Sequence, residues 1–330
     1  MQTIQRKKPH KLLKLEAILR RLPKTSPNYP YFQELHRKLS AGFQGELRVD
    51  RLLQEMNFTF PYHIFHDYCF VNDSGFTHQI DTLFVTPHFL CLIEIKNILG
   101  RLDFDDVKRQ CIRTTLDGKI DSIIYPVDQL FRHQCYFQIL LKQLNIELPI
   151  VKVIVIANQS TVIGQLSKEC PIMHSVGLPY FLRQQQQYFD QHSLATSDFR
   201  RLLNHLTIIR QDKLWEQKLT KDEWRSGVLC PMCTYEKRMF YRHGSWFCRS
   251  CGVENNEAFL QSLQDYRLLP DSYITTNTLC QEFNIPSKYI AYRIVKALKF
   301  EKTGNNRYSH YKKFRSTRKL HDENGLHRMA

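Results

Sequence analysis

Two apolar runs with strand character lie close together in the first third of the chain. Thr82–Val85 and Phe89–Ile95 are rich in β-branched, aromatic and leucine residues, and Thr86-Pro87-His88 separates them. Runs of this kind on either side of a proline-containing turn predict a β-hairpin.

Charged residues flank this hairpin in a pattern that predicts a functional site. Asp81 directly precedes the first run, and Glu94 and Lys96 lie at the end of the second. Residues two apart in a strand point to one face, so Glu94 and Lys96 should project together, opposite Ile93 and Ile95. A lone buried charge is costly, so charges in such a place are expected to be paired or to bind a metal.

The hydrophobic pattern on either side of the hairpin predicts the rest of this domain. Apolar residues at helical spacing predict helices over Ser40–Met56, Val127–Leu144 and Asp198–Ile209. Ile150–Ala157 is almost continuously branched and apolar, as a strand buried on both faces is. A strand and a helix are expected within His174–Gln187. The order predicts an α/β fold with a mixed central sheet flanked by helices and a right-handed crossover.

Several short motifs occur in order along the same region. The spacing D-x(12)-E-x-K resembles the core motif of the PD-(D/E)xK nucleases. Further pieces narrow the resemblance to the nuclease-related domain (NERD) family over residues 40–160, with Tyr125 standing where that family often has asparagine. These pieces are Gly45-Glu46-x-x-Val49-x-x-Leu52, Gln79-Ile80-Asp81, Glu94-Ile95-Lys96-Asn97, Gly100 and Pro126-x-x-Gln129.

The resemblance implies a restriction-endonuclease-like fold and a catalytic metal site. Asp81 and Glu94, with the carbonyl of Ile95, are expected to hold Mg²⁺ or Mn²⁺, and Glu46 is expected to assist. Oxygen ligands of this kind suit a hard cation that keeps several waters. The expected chemistry is metal-assisted hydrolysis of a phosphodiester bond.

Two further residues complete the expected catalytic set. Lys96 should orient the attacking water, and Gln129 should position the water or the phosphate. Residue patterns alone leave simpler interpretations open. In the first of these interpretations, Glu94 and Lys96 form a surface ion pair and Asp81 caps the core. In the second, Gln129 is an exposed helix residue. A nuclease-like fold also serves as a scaffold for binding or regulation, because fold does not imply activity.

The cysteines divide into scattered residues and one spaced group. Cys230, Cys233, Cys248 and Cys251 follow the pattern C-x2-C-x14-C-x2-C, which is close to that of four-cysteine zinc sites. Two disulfides are disfavoured in a reducing cytosol, and a redox pair needs a reactive dithiol. Four thiolates leave no open position, so a structural Zn²⁺ in a zinc ribbon is expected, with a hairpin turning at Gly244.

The region after the cysteines has a helix-turn-helix pattern. Thr276–Phe283 and Lys288–Phe300 read as helices around the turn Asn284–Ser287, and Glu301–Tyr311 reads as a two-stranded wing. Pro286 should break the first helix and Ser287 should cap the second. A winged helix-turn-helix places its second helix in a major groove. An ordinary helical hairpin for protein contacts is the alternative.

Basic residues dominate the charge of the chain. Lysine and arginine total 47 against 32 acidic residues, giving a formal net charge of +15. Such an excess favours phosphate-rich partners, here nucleic acid and DNA first. Lys288, Arg293 and Lys296 on the second tail helix are the expected nucleic-acid contacts. Basic residues also cluster near both ends, as flexible arms that add sequence-independent affinity or as solvated tails.

Membrane association is not expected from the sequence. No run reaches the length of about 18 apolar residues that a membrane span needs, and no signal peptide is recognisable. A cytoplasmic location is therefore expected. The apolar face of a short helix over Leu12–Leu22 should dock on the domain or on a protein partner, and the tail domain is a second place for a protein partner.

The sequence as a whole predicts a metal-dependent nuclease. The chain is expected to divide into six segments. The segments are a basic N-terminal helical arm (1–39), the NERD domain (40–209), a linker (210–227), the zinc ribbon (228–255), the winged helix-turn-helix (256–314) and a basic tail (315–330).

Overall fold

A computed structural model describes residues 5–56, 58–212, 215, 223–268, 274–298, 301–303 and 310–312. The chain forms two compact units, and both are discontinuous in sequence. The first unit comprises Met1–Pro9 and Lys38–Lys213, and the second comprises His10–Arg37 and Leu214–Ala330. The six-segment division expected from the sequence stays a prediction.

The first unit contains both helices and strands. The described residues after the cysteines are mainly helical. The helices are α1 His10–Arg21, α2 Tyr29–Gln54, α3 Pro126–Gln143, α4 Leu178–Tyr188, α5 Thr196–Ile209, α6 Glu257–Arg267, α7 Thr276–Phe283 and α8 Lys288–Ala297. The strands are β1 His63–Val71, β2 Thr77–Val85, β3 Leu90–Lys96, β4 Arg101–Asp105, β5 Gln110–Thr114, β6 Ile120–Ile123, β7 Ile150–Ile156, β8 Val162–Ile163, β9 Ile172–His174, β10 Val228–Leu229, β11 Arg238–Arg242, β12 Ser245–Phe247, β13 Glu301–Thr303 and β14 His310–Lys312.

A mixed sheet lies at the centre of the first unit. Its strand order is β1-β2-β3-β7-β9. The first three strands are antiparallel neighbours, and β3, β7 and β9 run parallel. Thr82 lies opposite Ile93 in the hairpin of β2 and β3. The predicted hairpin, the crossover helix α3 and the buried strand β7 are thereby confirmed. The handedness of the crossover stays a prediction.

Each face of this sheet packs against helices. Leu90 and Leu92 of β3 belong to a core that includes residues of α3 and α5. Cys91 and Ile93 belong to a core that includes residues of α2 and α4. Because both faces are covered, the central strands are apolar almost throughout. The predicted α/β architecture is confirmed.

A second, smaller sheet follows the hairpin and has the order β6-β5-β4-β8. Residues 101–123 supply three of its strands as an antiparallel meander. The sequence analysis did not predict this sheet. Its strands are short, and polar residues interrupt their alternation, so their periodicity is weak.

The second unit has one core shared by the ribbon strands and the helices of the tail. Trp246 of β12 stacks on Phe259 of α6, with ring centroids 5.3 Å apart. Phe259 also meets Phe283 of α7 edge to face. Apolar residues of α8 complete the same core. The ribbon and the tail helices therefore share their stabilising contacts within this unit.

The two helices and the Ser287 cap of the predicted helix-turn-helix are present, and the assignment of a winged helix-turn-helix domain stays a prediction. The hydroxyl of Ser287 accepts a hydrogen bond from the amide of Ile290 at the start of α8, and Thr275 caps α7 in the same way. Asn284 ends α7 in the left-handed conformation. The predicted wing is present as the antiparallel pair β13 and β14. Its tip and the predicted basic tail lie outside the described residues.

The basic residues near the N-terminus do not behave as a flexible arm within the described chain. Lys14 and Arg21 of α1 are buried. Arg20 and Arg21 form ion pairs with Asp265 of α6. Burial lowers the pKa of Arg21, against the charge of Asp265. The interpretation as a flexible phosphate-binding arm is therefore wrong for these residues, because they stabilise the fold.

Among the helices that the structure describes, none is long and apolar enough to cross a membrane.

Candidate functional site

Asp81, in the middle of β2, lies beside the end of β3 that carries Glu94 and Lys96. The backbone amide of Ile95 donates a hydrogen bond of 2.7 Å to Oδ2 of Asp81. Nζ of Lys96 lies 2.6 Å from Oε1 of Glu94, so these two side chains share a face, as their spacing predicts. Glu94 itself is buried, with 3% of its surface exposed.

Gln129 reaches the same carboxylate from the first turn of α3. Its Nε2 donates a hydrogen bond of 2.8 Å to Oε2 of Glu94. Pro126 begins the helix, where its fixed φ and missing amide proton are tolerated. Both oxygens of Glu94 are thus held, one by an ammonium group and one by an amide. The alternative of an exposed helix glutamine does not describe Gln129.

Glu46 lies on α2, whose close approach to the end of β3 depends on a glycine. A Cβ atom at Gly45 would lie only 2.4 Å from Cβ of Asn97. Asn97 also donates a hydrogen bond to the carbonyl of Ala41. The glycine of the Gly45-Glu46 motif is therefore required by packing, and it lets the helix carry Glu46 to the site.

Arg6 is part of this cluster, and no sequence signal indicated it. Its Nη1 lies 3.0 Å from Oε2 of Glu46 and 3.2 Å from Oδ1 of Asp67. Its Nε lies 2.7 Å from Oδ2 of Asp50. Asp50 follows Glu46 by one helical turn, so the acidic face of α2 was readable from their spacing. Arg6 lies far from the motif in sequence, so its place in the cluster could not be predicted from spacing.

Burial of several carboxylates in one place shifts their protonation. Burial, and then the charge of Asp81, raises the pKa of Glu46 to about 8 and that of Glu94 to about 8. Burial also raises the pKa of Asp81. Burial lowers the pKa of Lys96, but Glu94 more than offsets this and leaves it above its ordinary value. The site is an acidic cluster with too little positive charge around it.

The chemistry of this cluster fits a hard divalent cation in an open site. Glu46, Asp81 and Glu94 offer oxygen ligands and an excess of negative charge, and Mg²⁺ uses one or two carboxylates together with waters and substrate phosphates. Among the residues that the structure describes, no acidic group gathers three ligand atoms within 4.8 Å, as the four cysteines do. The carboxylates therefore do not form a closed cage.

A cavity adjoins the cluster and opens a path to it. Its volume is about 320 Å³, and Asp81 and Gln129 form part of its wall. Thr77, Gln79 and two histidines, His78 and His133, form the rest. Asp81 is the only acidic residue among the described residues of this wall, and the others are polar.

The pKa of Glu94 leads to a prediction about the metal-free protein. A carboxyl whose folded pKa lies above its unfolded value destabilises the fold as pH rises through that window. Without added Mg²⁺ or Mn²⁺, Glu94→Gln should therefore gain stability relative to wild type between about pH 5 and about pH 8. Thermal denaturation at a series of pH values measures this difference. The exposed Glu147→Gln is the control, and a difference that is the same at both pH values would contradict the prediction.

The four spaced cysteines also meet at one point. Their Sγ atoms all lie within 4.8 Å of one another, with Cys230 and Cys251 3.6 Å apart and Cys233 and Cys248 3.8 Å apart. Tetrahedral Zn²⁺ with bonds of about 2.3 Å requires sulfur atoms about 3.8 Å apart. The donor set therefore fits a zinc ion.

The loops that carry the cysteines have the conformations of zinc knuckles. Gly252 has φ +73°, and its amide donates to the carbonyl of Cys248. Thr234 and Tyr235 adopt positive φ at the first knuckle. The hairpin of β11 and β12 between the two cysteine pairs turns at Gly244, as the sequence predicts.

We expect purified protein to carry about one Zn²⁺ per chain in this ribbon. Cys248→Ser should lose the ion and unfold the ribbon at lower temperature, because a structural zinc contributes folding free energy directly. Elemental analysis and thermal denaturation measure the two effects. Cys135→Ser, outside the cluster, is the control, and zinc-free wild type purified without chelators would contradict the prediction.

One face of α8 presents basic and aromatic side chains to solvent. Lys288, Arg293 and Lys296 are exposed. Tyr289 and Tyr292 lie among them with 70% and 50% of their surfaces exposed. Their spacing places them on one stripe of the helix. The apolar residues of α8 face the core of the second unit instead.

Comparison with protein families supports the interpretation of the first unit. Residues 41–157 match the family model of the nuclease-related domain. The match includes Glu46, Asp81, Glu94, Lys96 and Gln129, and it confirms the NERD resemblance for this part of the chain. Neither the curated proteins nor the solved structures contain a match. A nuclease-related function is indicated for these residues.

Proposed function

We propose that this protein is a metal-dependent nuclease that hydrolyses phosphodiester bonds in DNA or RNA. The observation that carries the proposal is the cluster of half-buried Asp81, buried Glu94 and half-buried Lys96 where the pairing of β2 with β3 stops, with Gln129 bound to Glu94. Glu94 is both buried and short of positive charge. A cation supplied together with the substrate relieves that shortage.

Asp81, Glu94 and the Ile95 carbonyl would hold Mg²⁺ or Mn²⁺, assisted by Glu46. A bound ion of this kind stabilises the developing charge on the phosphate and lowers the pKa of its water. Lys96 orients the attacking water and holds Oε1 of Glu94 in place. Gln129 fixes the other oxygen, Oε2, so the carboxylate keeps one orientation when the substrate arrives.

The second unit would contribute nucleic-acid contacts of its own. The exposed stripe of α8 supplies three cations for phosphates and two tyrosines whose rings suit stacking or groove contacts. The zinc ribbon stabilises the unit that presents this helix. DNA is the proposed substrate because a helix-turn-helix suits the major groove of a duplex.

A scaffold without catalysis is the second candidate. A scaffold does not need a cluster of charged side chains on β2 and β3. Burying Glu94 beside Asp81 costs stability, because burial and the neighbouring charge both disfavour its ionised form. A scaffold gains nothing in exchange for that cost, so the retained charges favour the enzyme.

The catalytic proposal predicts a loss of cleavage without a loss of binding. Lys96→Ala and Asp81→Ala should each reduce cleavage by at least about 100-fold in Mg²⁺ or Mn²⁺. Binding of the same substrate, measured without added Mg²⁺ or Mn²⁺, should stay within about twofold, because the phosphate contacts lie elsewhere. Substrates should include linear, circular and single-stranded DNA and RNA.

Lys119→Ala is the matched lysine control. Lys119 is exposed, directly precedes β6 and pairs with Asp121. Cleavage by Lys96→Ala at the rate of wild type would contradict the assigned role of Lys96. Wild type that cleaves none of these substrates would favour the scaffold.

The binding proposal predicts a change in salt dependence. Arg293→Glu combined with Lys296→Glu should weaken binding of duplex DNA and flatten the dependence of log K on log salt, which has a slope near −0.9 for each neutralised phosphate. Lys142→Glu, exposed near the end of α3, is the control. An unchanged affinity and slope would assign α8 to a protein partner. Charge reversal is preferable to removing residues 258–330, because α6 to α8 share a core with the ribbon.

A further inference from the structure

Arg6 lies in a segment that precedes the first helix and has no regular secondary structure. Its side chain is fully buried, although arginine is rarely buried without partners. Its partners are three carboxylates, one backbone carbonyl and one hydroxyl, all within the first unit. So many contacts to one guanidinium group are more than the anchoring of a chain end requires.

The contacts of Arg6 join two elements that carry candidate metal ligands. On α2, its Nε and Nη2 form a fork on Asp50, at 2.7 and 3.2 Å, and Nη1 reaches Glu46 at 3.0 Å. On β2, Nη2 donates to the carbonyl of Asp81 at 2.9 Å and to Oγ1 of Thr82 at 2.8 Å. The guanidinium group therefore connects the helix bearing Glu46 to the strand at Asp81.

We propose that Arg6 is a positioning residue of the active site, which holds Glu46 at a fixed place relative to Asp81. This inference rests on the proposed nuclease function. Arg6 acts through Glu46 and the backbone of Asp81, and it takes one oxygen of the Glu46 carboxylate, Oε2. Residues that hold metal ligands in this way set the geometry of a site without touching the ion.

The number and direction of the donors explain why arginine occupies this place. A guanidinium group has five N–H donors in one plane, whereas an ammonium group is a point charge on a flexible stem. The fork on Asp50 and the bonds to Glu46, Asp81 and Thr82 use donors on all three nitrogens. A lysine would keep the charge but would lose the link between α2 and β2.

The charge of Arg6 is already matched by its own neighbours. Asp50 and Asp67 both lie within 3.2 Å of it, and neither is a proposed metal ligand. The negative charge at Asp81 and Glu94 therefore stays available to a cation. This arrangement differs from that of a plug, in which the guanidinium group would replace the metal and its removal would strengthen metal binding.

Arg6→Lys in the full chain tests the proposal. We expect the affinity for Mn²⁺, measured by calorimetry without substrate, to fall by about 10- to 100-fold. With Mn²⁺ raised to saturation, kcat should fall while KM for the nucleic acid changes by less than about twofold. The control is Arg37→Lys, which makes the same exchange at an exposed carboxylate pair with Glu34 and should change neither quantity.

Arg6→Ala provides a second test through chemical rescue. Methylguanidinium in the medium should restore part of the Mn²⁺ affinity and of kcat, and methylammonium should not, because the fork rather than the charge is required. If Arg6→Ala does not fold, Arg6→Lys alone decides the question.

The outcomes separate this proposal from the one on which it rests. Wild type that binds Mn²⁺ and cleaves, with Arg6→Lys equal to it in both, overturns the role of Arg6 alone. Tighter Mn²⁺ binding in Arg6→Lys also overturns it and makes Arg6 a plug. Wild type that neither binds Mn²⁺ nor cleaves overturns both proposals.

Discussion

The concentration of buried and half-buried carboxylates where the pairing of β2 with β3 stops is the constraint on which the first unit depends. Burial, and then the charge of Asp81, disfavours the ionised form of Glu94, and burial disfavours that of Asp81. Such a cluster persists only if neighbouring elements supply positive charge and hydrogen-bond donors. Lys96 and Gln129 do so for Glu94, and Arg6 does so on the opposite side for Glu46 and Asp50.

This requirement also accounts for the unusual course of the chain. Residues 1–9 belong to the first unit, whereas α1 belongs to the second. Arg6 supplies the guanidinium group that the acidic face of α2 needs, and Arg21 supplies another that pairs with Asp265. Two arginines of one short basic segment are thus used as internal counterions in different units. Counting them as surface charge overstates the positive charge that is available to a phosphate-rich partner.

The constraint on the second unit is different. Its ribbon is small and has little apolar core of its own. Two of its cysteines, together with Met239 and Trp246, contribute to the apolar core of the tail helices. The four thiolates provide the spacing that one zinc ion requires. A zinc ion there would stabilise the same region as the apolar core. The exposed stripe on α8 remains available because its apolar residues are directed to that core.

The sequence by itself determined the elements whose information is local. Strand alternation specified the hairpin and the common face of Glu94 and Lys96, cysteine spacing specified the four-cysteine cluster, and Ser287 marked the start of the second tail helix. The tertiary structure decided what depends on long-range contacts. It brought Arg6 to Asp81, placed Gln129 on Glu94 and formed the weakly patterned sheet of residues 101–123. No periodicity links residues so distant in sequence, because burial and charge compensation act only once the chain is folded.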